Sequence, residues 1–145
     1  MNINDFYIAD YCKNALDMAR NISEVTLDYS RSSLAGLDTV LKDLRRIRKK
    51  GLLKDESAWS AAVSLGTYYG EVMLRDSLQF RNFEWKIDKS GMPIISDEKD
   101  LCSISPIYRA YKAITADENG PSPEENYRMF LFMLDHAEEE YRKTL

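Results

Sequence analysis

Apolar residues recur at three- and four-residue intervals over the first third of the chain, which is the pattern of helices with one buried face. This spacing predicts a first helix over residues 4 to 23 and a second over residues 28 to 50, separated by a β-branched break at residues 25 to 27. Asp28 is the predicted N-cap of the second helix. Gly51 follows that helix as its predicted C′ residue.

The predicted third helix, residues 55 to 78, has apolar or small residues on most of its surface. Such a helix must be covered by other elements over most of its circumference. We therefore expect it at the centre of the domain, with residues 59 to 73 as an interior rod. Ala58, Ala62, Gly66 and Gly70 advance by four positions and leave a seam with almost no side chain. Each glycine costs about 1 kcal/mol relative to alanine inside a helix. Either close packing of another backbone or a ligand lying along the seam accounts for that cost.

Beyond residue 78 the pattern alternates between apolar and polar residues, which is typical of half-buried strands. Three short strands are predicted, over residues 83 to 88, 92 to 96 and 101 to 104. Polar turns separate them, so the strands are expected to pair as an antiparallel meander.

Two serine–proline pairs predict the starts of two C-terminal helices, at Ser105-Pro106 and at Ser122-Pro123. Glu125 completes a capping box with Ser122. The last helix is expected to bury five apolar residues: Tyr127, Phe130, Leu131, Leu134 and Tyr141. The predicted fold is therefore α+β, with three N-terminal helices, a three-stranded antiparallel β-meander and two C-terminal helices, in a single domain over residues 1–145.

The composition is that of an ordinary globular protein, since 44% of the 145 residues are hydrophobic and 30% are charged. No 18-residue stretch is free of charge, so a transmembrane helix and a membrane partner are not expected. The first ten residues lack the basic start and apolar centre of a signal peptide. We therefore expect a cytoplasmic protein.

The net charge of −4 is unevenly distributed, because residues 1–81 carry +1 and residues 82–145 carry −5. A nucleic-acid partner is not expected, since such binding depends on neutralising phosphates with a broad basic face. The local exception is a run of five cations over residues 45 to 50. These cations either complement the dipole at the end of the second helix or form an anion-binding patch.

Cys12, Cys102 and the single histidine, His136, are too few for a structural zinc site of the Cys/His type, which needs four ligands. We expect two reduced, buried thiols, with a disulfide as the alternative, and neither a metal nor a cofactor. The sequence has no nucleophile elbow, phosphate loop or zinc-protease motif. It therefore identifies no catalytic residue, and an enzyme is the less favoured class.

Glu71 is the first candidate for a ligand site because it follows the glycine seam on a largely buried helix. A partly buried carboxylate there could act as an acid or a base. Arg75, four residues later, is in the favourable position for an intrahelical ion pair, which is the alternative role of Glu71.

A second candidate is an aromatic and cationic cluster on the fourth helix. Its members are Tyr108, Arg109, Tyr111 and Lys112. Tyrosine and arginine are enriched at the energetic centres of protein interfaces, which favours an interaction face. Packing of the tyrosines at the rim of the core explains them equally well.

Four segments carry a family resemblance: SLGTYYGEV at residues 64 to 72, Trp85, GMP at residues 91 to 93 and PIYRAYK at residues 106 to 112. Over residues 55 to 115 the chain resembles uncharacterised small bacterial α+β domains of unknown function. These domains have a helix containing LGxYxGE, a meander that opens with tryptophan, and a proline-started basic helix. The resemblance implies a bacterial origin, a shared fold and an accessory or immunity-type role, and it supplies no catalytic residue.

The leading functional hypothesis is a non-enzymatic binding protein whose acidic C-terminal half or fourth helix meets a protein partner. An immunity-like inhibitor of a basic toxin would suit the charge, because opposite potentials accelerate association. The alternative is a small-molecule-binding protein or weak hydrolase centred on Glu71. Homo-oligomerisation through an exposed strand edge is also left open.

Overall fold

A computed structural model describes residues 2–144. The five α-helices of this range are α1 (Ile8–Ser23), α2 (Leu34–Lys49), α3 (Asp55–Asp76), α4 (Pro106–Thr115) and α5 (Pro123–Lys143). The three strands are β1 (Glu84–Ile87), β2 (Pro93–Ser96) and β3 (Ser103–Ile104). They pair antiparallel in the order β1-β2-β3, with Trp85 opposite Ile95 and Ile95 opposite Ile104. The fold is α+β.

The predicted order of elements requires correction, because it omits three short 3-10 helices, at Ile3–Asp5, Arg31–Ser33 and Leu78–Arg81. The predicted start of the second helix was also wrong. Asp28 Oδ1 accepts a hydrogen bond from the backbone N–H of Ser30 at 3.0 Å, so it closes a local turn instead of capping a helix. Ser30 then caps the 3-10 helix, and the α-helix begins only at Leu34.

The third strand is shorter than predicted because the turn before it is longer. Asp97 Oδ1 accepts hydrogen bonds from the backbone N–H groups of Leu101 and Cys102, at 2.8 and 3.0 Å. The side chain of Asp97 thereby takes the place of a strand partner, and only Ser103 and Ile104 form β3.

Several predicted helix ends are confirmed. Gly51 has a φ of +76°, the left-handed conformation expected of a C′ glycine. The Ser105 side chain accepts a hydrogen bond from the backbone N–H of Tyr108 at the start of α4. Ser122 and Glu125 form both hydrogen bonds of the predicted capping box at the start of α5.

Helix α3 is the central element, as predicted, and packs against α1, α2 and α4. From Ala61 to Leu74 all of its residues are buried except Val63 and Glu71, which are half-buried. The predicted rod is too long at its first turn, because Trp59 remains exposed.

Protein atoms fill the glycine seam of α3. A Cβ atom added at Gly66 would lie 2.8 Å from the backbone nitrogen of Ile107 and 2.9 Å from the carbonyl oxygen of Pro106. A Cβ atom at Gly70 would lie 2.6 Å from the Cη2 atom of the Trp85 ring. The glycines therefore allow the first turn of α4 and a side chain of the sheet to approach α3 closely, which is the packing interpretation of the seam.

Candidate functional site

Glu71 is held by neighbouring side chains on both of its carboxylate oxygens. Its Oε2 accepts a hydrogen bond from the indole Nε1 of Trp85 at 3.1 Å, and its Oε1 lies 3.6 Å from a guanidinium nitrogen of Arg75. The Arg75 guanidinium in turn lies 3.9 Å from the centre of the Tyr29 ring. These contacts give Glu71 and Arg75 a role in attaching the sheet and the segment before α2 to α3.

Cys12 lies next to this cluster and is buried. Burial raises the pKa of its thiol from 9.0 to about 11, and the nearby Glu71 carboxylate adds to the rise. Because the thiolate is the reactive form, Cys12 is unsuited to nucleophilic catalysis near neutral pH. Both cysteines are free. Cys102 is half-buried, so the prediction of two buried thiols was wrong for this residue.

The backbone of Tyr29 is fixed in a conformation that non-glycine residues rarely adopt, with a φ of +67°. Its N–H donates to the hydroxyl oxygen of Tyr68 at 2.9 Å, and that hydroxyl lies 2.6 Å from Ser33 Oγ. Burial raises the pKa of the Tyr29 hydroxyl to about 12. All of these groups are neutral and have partners, so the cluster is suited to holding the chain in place.

The four candidate residues of the fourth helix do not form a single cluster. Tyr111 packs edge-to-face on Trp59, with ring centres 5.3 Å apart. This contact matches the alternative prediction that the tyrosines pack at the rim of the core. Tyr108 is exposed, and the Lys112 ammonium lies 5.6 Å from the centre of its ring. Arg109 and Lys112 both line a cavity that the sequence did not predict.

This cavity lies between α2, α4 and the segment of residues 116–126, and its volume is about 380 Å³. We call it the α2/α4 cavity. Its apolar wall is formed by Leu37, Leu41, Tyr69, Ala110, Ala113, Ala116, Pro121 and Pro123. Its basic residues are Lys42, Arg45, Arg109 and Lys112. One residue of the predicted anion patch, Arg45, is therefore among them.

A second feature that was not predicted from the sequence is the outward side of α5. Met129, Phe132 and Met133 have exposed fractions of 56%, 73% and 64%. His136 stacks on the Phe132 ring with centres 6.5 Å apart. We call these four residues the α5 outer face. Their spacing of three and four positions was visible in the sequence, but it lies opposite the buried residues of the same helix.

Carboxylates lie beside the α5 outer face, together with Lys143, which pairs with Glu140 at 3.3 Å. Glu139 and Glu140 are exposed three and four positions after His136, so they lie on the next turn of the same side. Asp135 and Glu138 are paired with Arg81 at 2.9 Å each. The predicted burial of Tyr141 was wrong, since its exposed fraction is 63%.

Over residues 2–144, no group of three or more His, Cys, Asp and Glu side chains is placed to hold a metal ion. None of the helices in that range combines the length and the apolar character needed to cross a membrane.

Comparison of the chain with protein-family models, with curated proteins and with solved structures gives no match. The resemblance of residues 55 to 115 to small bacterial domains therefore stays an expectation.

Proposed function

We propose that the protein is a binding protein that meets a basic protein partner through the α5 outer face. The observation that carries this proposal is the exposure of three large apolar side chains side by side on one helix. Single exposed apolar residues are common on protein surfaces, whereas contiguous ones are typical of interaction sites.

The residue types of the α5 outer face are those enriched in protein interfaces. Aromatic residues and methionine occur more often in protein interfaces than on the rest of protein surfaces. Met129 and Met133 lie next to Phe132 on the helix, and flexible methionine side chains adapt to the shape of a partner. The rigid ring of Phe132 would supply an aromatic contact beside them.

The surrounding charge favours a basic partner. Residues 82–145 carry a net charge of −5, and Glu139 extends from the same side of α5, as does Glu140, which is paired with Lys143 at 3.3 Å. Opposite potentials accelerate association and disfavour acidic partners. An immunity-like inhibitor of a basic toxin is the specific form of this proposal.

The alternative function, a small-molecule site or weak hydrolase at Glu71, has less support. Both oxygens of the Glu71 carboxylate already face protein partners, Trp85 and Arg75. Glu71 is also absent from the lining of the α2/α4 cavity. Ligand binding at Glu71 would require these contacts to separate.

Site-specific photo-cross-linking in the source cells tests the proposal. A benzophenone amino acid would replace Phe132 in one variant and Leu52 in a control, because Leu52 is equally exposed but lies outside α5. We expect position 132, and not position 52, to cross-link to one protein of high isoelectric point. Cross-links only to a second copy of this chain, or none at position 132, would refute the proposal.

The captured partner would then be purified and its affinity measured by calorimetry. We expect the Phe132→Ser, Met133→Ser double variant to bind at least tenfold more weakly than the unaltered chain, and Leu52→Ser to bind normally. The affinity should also fall as salt is added, because the charges of the interface are screened. An affinity that is insensitive to the double variant would exclude the α5 outer face as the contact.

A further inference from the structure

We infer that the α2/α4 cavity binds a small molecule that joins an apolar body to one anionic headgroup. This site is separate from the α5 outer face and does not depend on the protein partner proposed above.

The size and the wall of the cavity suit an apolar body. Its volume of about 380 Å³ falls within the range of roughly 300–1,000 Å³ that is typical of small-molecule sites. Leu37, Leu41 and Ala110 are buried residues of the core that also line it. Apolar atoms of a ligand would therefore be transferred from water to an apolar surface that is already formed in the folded protein.

The basic side chains around the cavity outnumber the acidic ones. Lys42, Arg45, Arg109 and Lys112 line it together with only two carboxylate residues, Asp38 and Glu118. The resulting surplus of two positive charges contrasts with the net charge of −4 of the whole chain. An anion would be attracted to this position in spite of the overall charge.

Three of these cations have no carboxylate partner among residues 2–144. Arg109 donates to the amide oxygen of Asn126 at 3.0 Å. Arg45 donates to the carbonyl oxygen of Glu118 at 3.0 Å and to the Asn119 side chain. The Lys112 ammonium lies 5.6 Å from the centre of the Tyr108 ring. In contrast, Lys42 is paired with Asp38 at 2.8 Å. Arg45, Arg109 and Lys112 thus have charge available for a ligand.

Hydrogen bonds hold the cavity wall at both ends. Lys49 Nζ donates to the carbonyl oxygen of Asp117 at 2.9 Å, and Arg45 binds the next residue, so α2 holds the loop before α5. At the other end, the Tyr69 hydroxyl donates to the carbonyl oxygen of Pro123 at 2.7 Å. A wall held in this way needs little rearrangement on binding, which favours affinity.

The headgroup chemistry follows from the cations. A guanidinium presents its N–H groups in a fork that matches the oxygens of a carboxylate or a phosphate, and an ammonium group adds charge to either. The ligand class is thus an amphipathic carboxylate or phosphate. Its apolar body would lie between α2 and α4, and its headgroup would contact Arg109 and Lys112.

Calorimetric titration with three probes of equal chain length tests the inference: octanoate, octyl phosphate and neutral 1-octanol. We expect at least one anion to bind at one site and at least tenfold more tightly than octanol. Preference for octanoate or for octyl phosphate would identify the headgroup. Equal affinity for all three probes, or no saturable binding of any of them, would overturn the inference.

A matched pair of arginine variants locates the binding. Arg109→Gln is expected to weaken anion binding at least tenfold and to leave octanol binding unchanged. Arg20→Gln removes the same charge from α1, away from the cavity, and is expected to have no effect. Equal affinities of the two variants would overturn the assignment of the site. Circular dichroism would verify that both variants are folded.

A third variant, Phe132→Ser, separates the two proposals. Phe132 does not line the cavity, so octanoate and octyl phosphate should bind this variant with unchanged affinity. A loss of anion binding in Phe132→Ser would show that the probes bind the α5 outer face, and it would overturn the cavity assignment alone. Failure of the cross-linking experiment would refute the protein partner alone.

Discussion

Helices α3 and α5 have almost the same length, 22 and 21 residues, yet they differ in how much of their surface is covered. Thirteen residues of α3 are buried, and they include the polar Ser64 and Thr67. Only four residues of α5 are buried, namely Pro123, Tyr127, Phe130 and Leu134. Helix α3 therefore serves stability along its covered stretch from Ala61 to Leu74, whereas α5 combines an anchoring side with a side that is free for a partner.

The two helices also use their unusual residues differently. On α3 the glycines remove side chains, so that α4 and the sheet approach its backbone. On α5 the methionines and Phe132 add apolar side chains that no other described element covers. Substitutions on α3 should accordingly change folding, and substitutions on the α5 outer face should change binding.

The largest expected effect distinguishes the two sides of α5 itself. Phe130 is 9% exposed and packs edge-to-face on Phe83, with ring centres 5.9 Å apart. Phe130→Ala should lower the free energy of unfolding by about 3 kcal/mol or more, because it leaves a cavity in the core. Phe132→Ala should change it by less than about 0.5 kcal/mol. Denaturant unfolding of both variants measures the difference, and equal losses would contradict the two-sided description of α5.

The next effect concerns the close packing of α3. Gly66→Ala places a methyl group against the backbone of Pro106 and Ile107, which cannot move as a side chain would. We expect a loss of about 2–3 kcal/mol in the free energy of unfolding. Gly120→Ala is the control, since no atom lies within 4 Å of its added Cβ. If the helix propensity of alanine dominated instead, Gly66→Ala would stabilise the protein by about 1 kcal/mol.

The smallest expected effect tests whether the buried Cys12 thiol is shielded from water. The folded state raises the pKa of Cys12 from 9.0 to about 11, so the folded chain keeps this proton where the unfolded chain has lost it. The contribution of the protonated Cys12 thiol to the free energy of unfolding is therefore fully present below pH 9, and it is lost as the pH rises through about 11. Between pH 8 and pH 10 the free energy of unfolding should fall by about 1 kcal/mol more in the unaltered protein than in Cys12→Ala.

Unfolding of the two proteins at pH 8, 9 and 10 measures this difference. Cys102→Ala is the matched control, because Cys102 is half-buried and its removal should alter the pH dependence less. An identical pH dependence for the unaltered protein and Cys12→Ala would show that Cys12 is in contact with water.

Local rules identified several elements because their chemistry acts within a few residues. Gly51, the Ser105-Pro106 start and the Ser122–Glu125 capping box all formed as predicted. The same kind of rule failed at Asp28, because its carboxylate bonds Ser30 in a turn as readily as it would cap a helix. Local chemistry thus limits the structures available to a segment without always selecting one.

Periodicity likewise identified the buried side of a helix but not the extent of its cover. It placed Phe130 and Leu134 correctly in the core, and it placed Tyr141 there wrongly. Helix α5 continues beyond the elements on which its first turns pack. The sequence of a helix contains no information on where the neighbouring surface ends.

The sequence by itself determined the α+β class, the central position of α3, the helix ends at Gly51, Ser105 and Ser122, and the absence of familiar catalytic motifs. Tertiary structure alone decided which polar groups meet. It bonded Glu71 to Trp85, and it placed Arg45 and Arg109, 64 positions apart in the chain, around one cavity. The physical reason is range: propensity, capping and periodicity act over a few residues, whereas the meeting of distant side chains depends on how whole helices pack and how loops close.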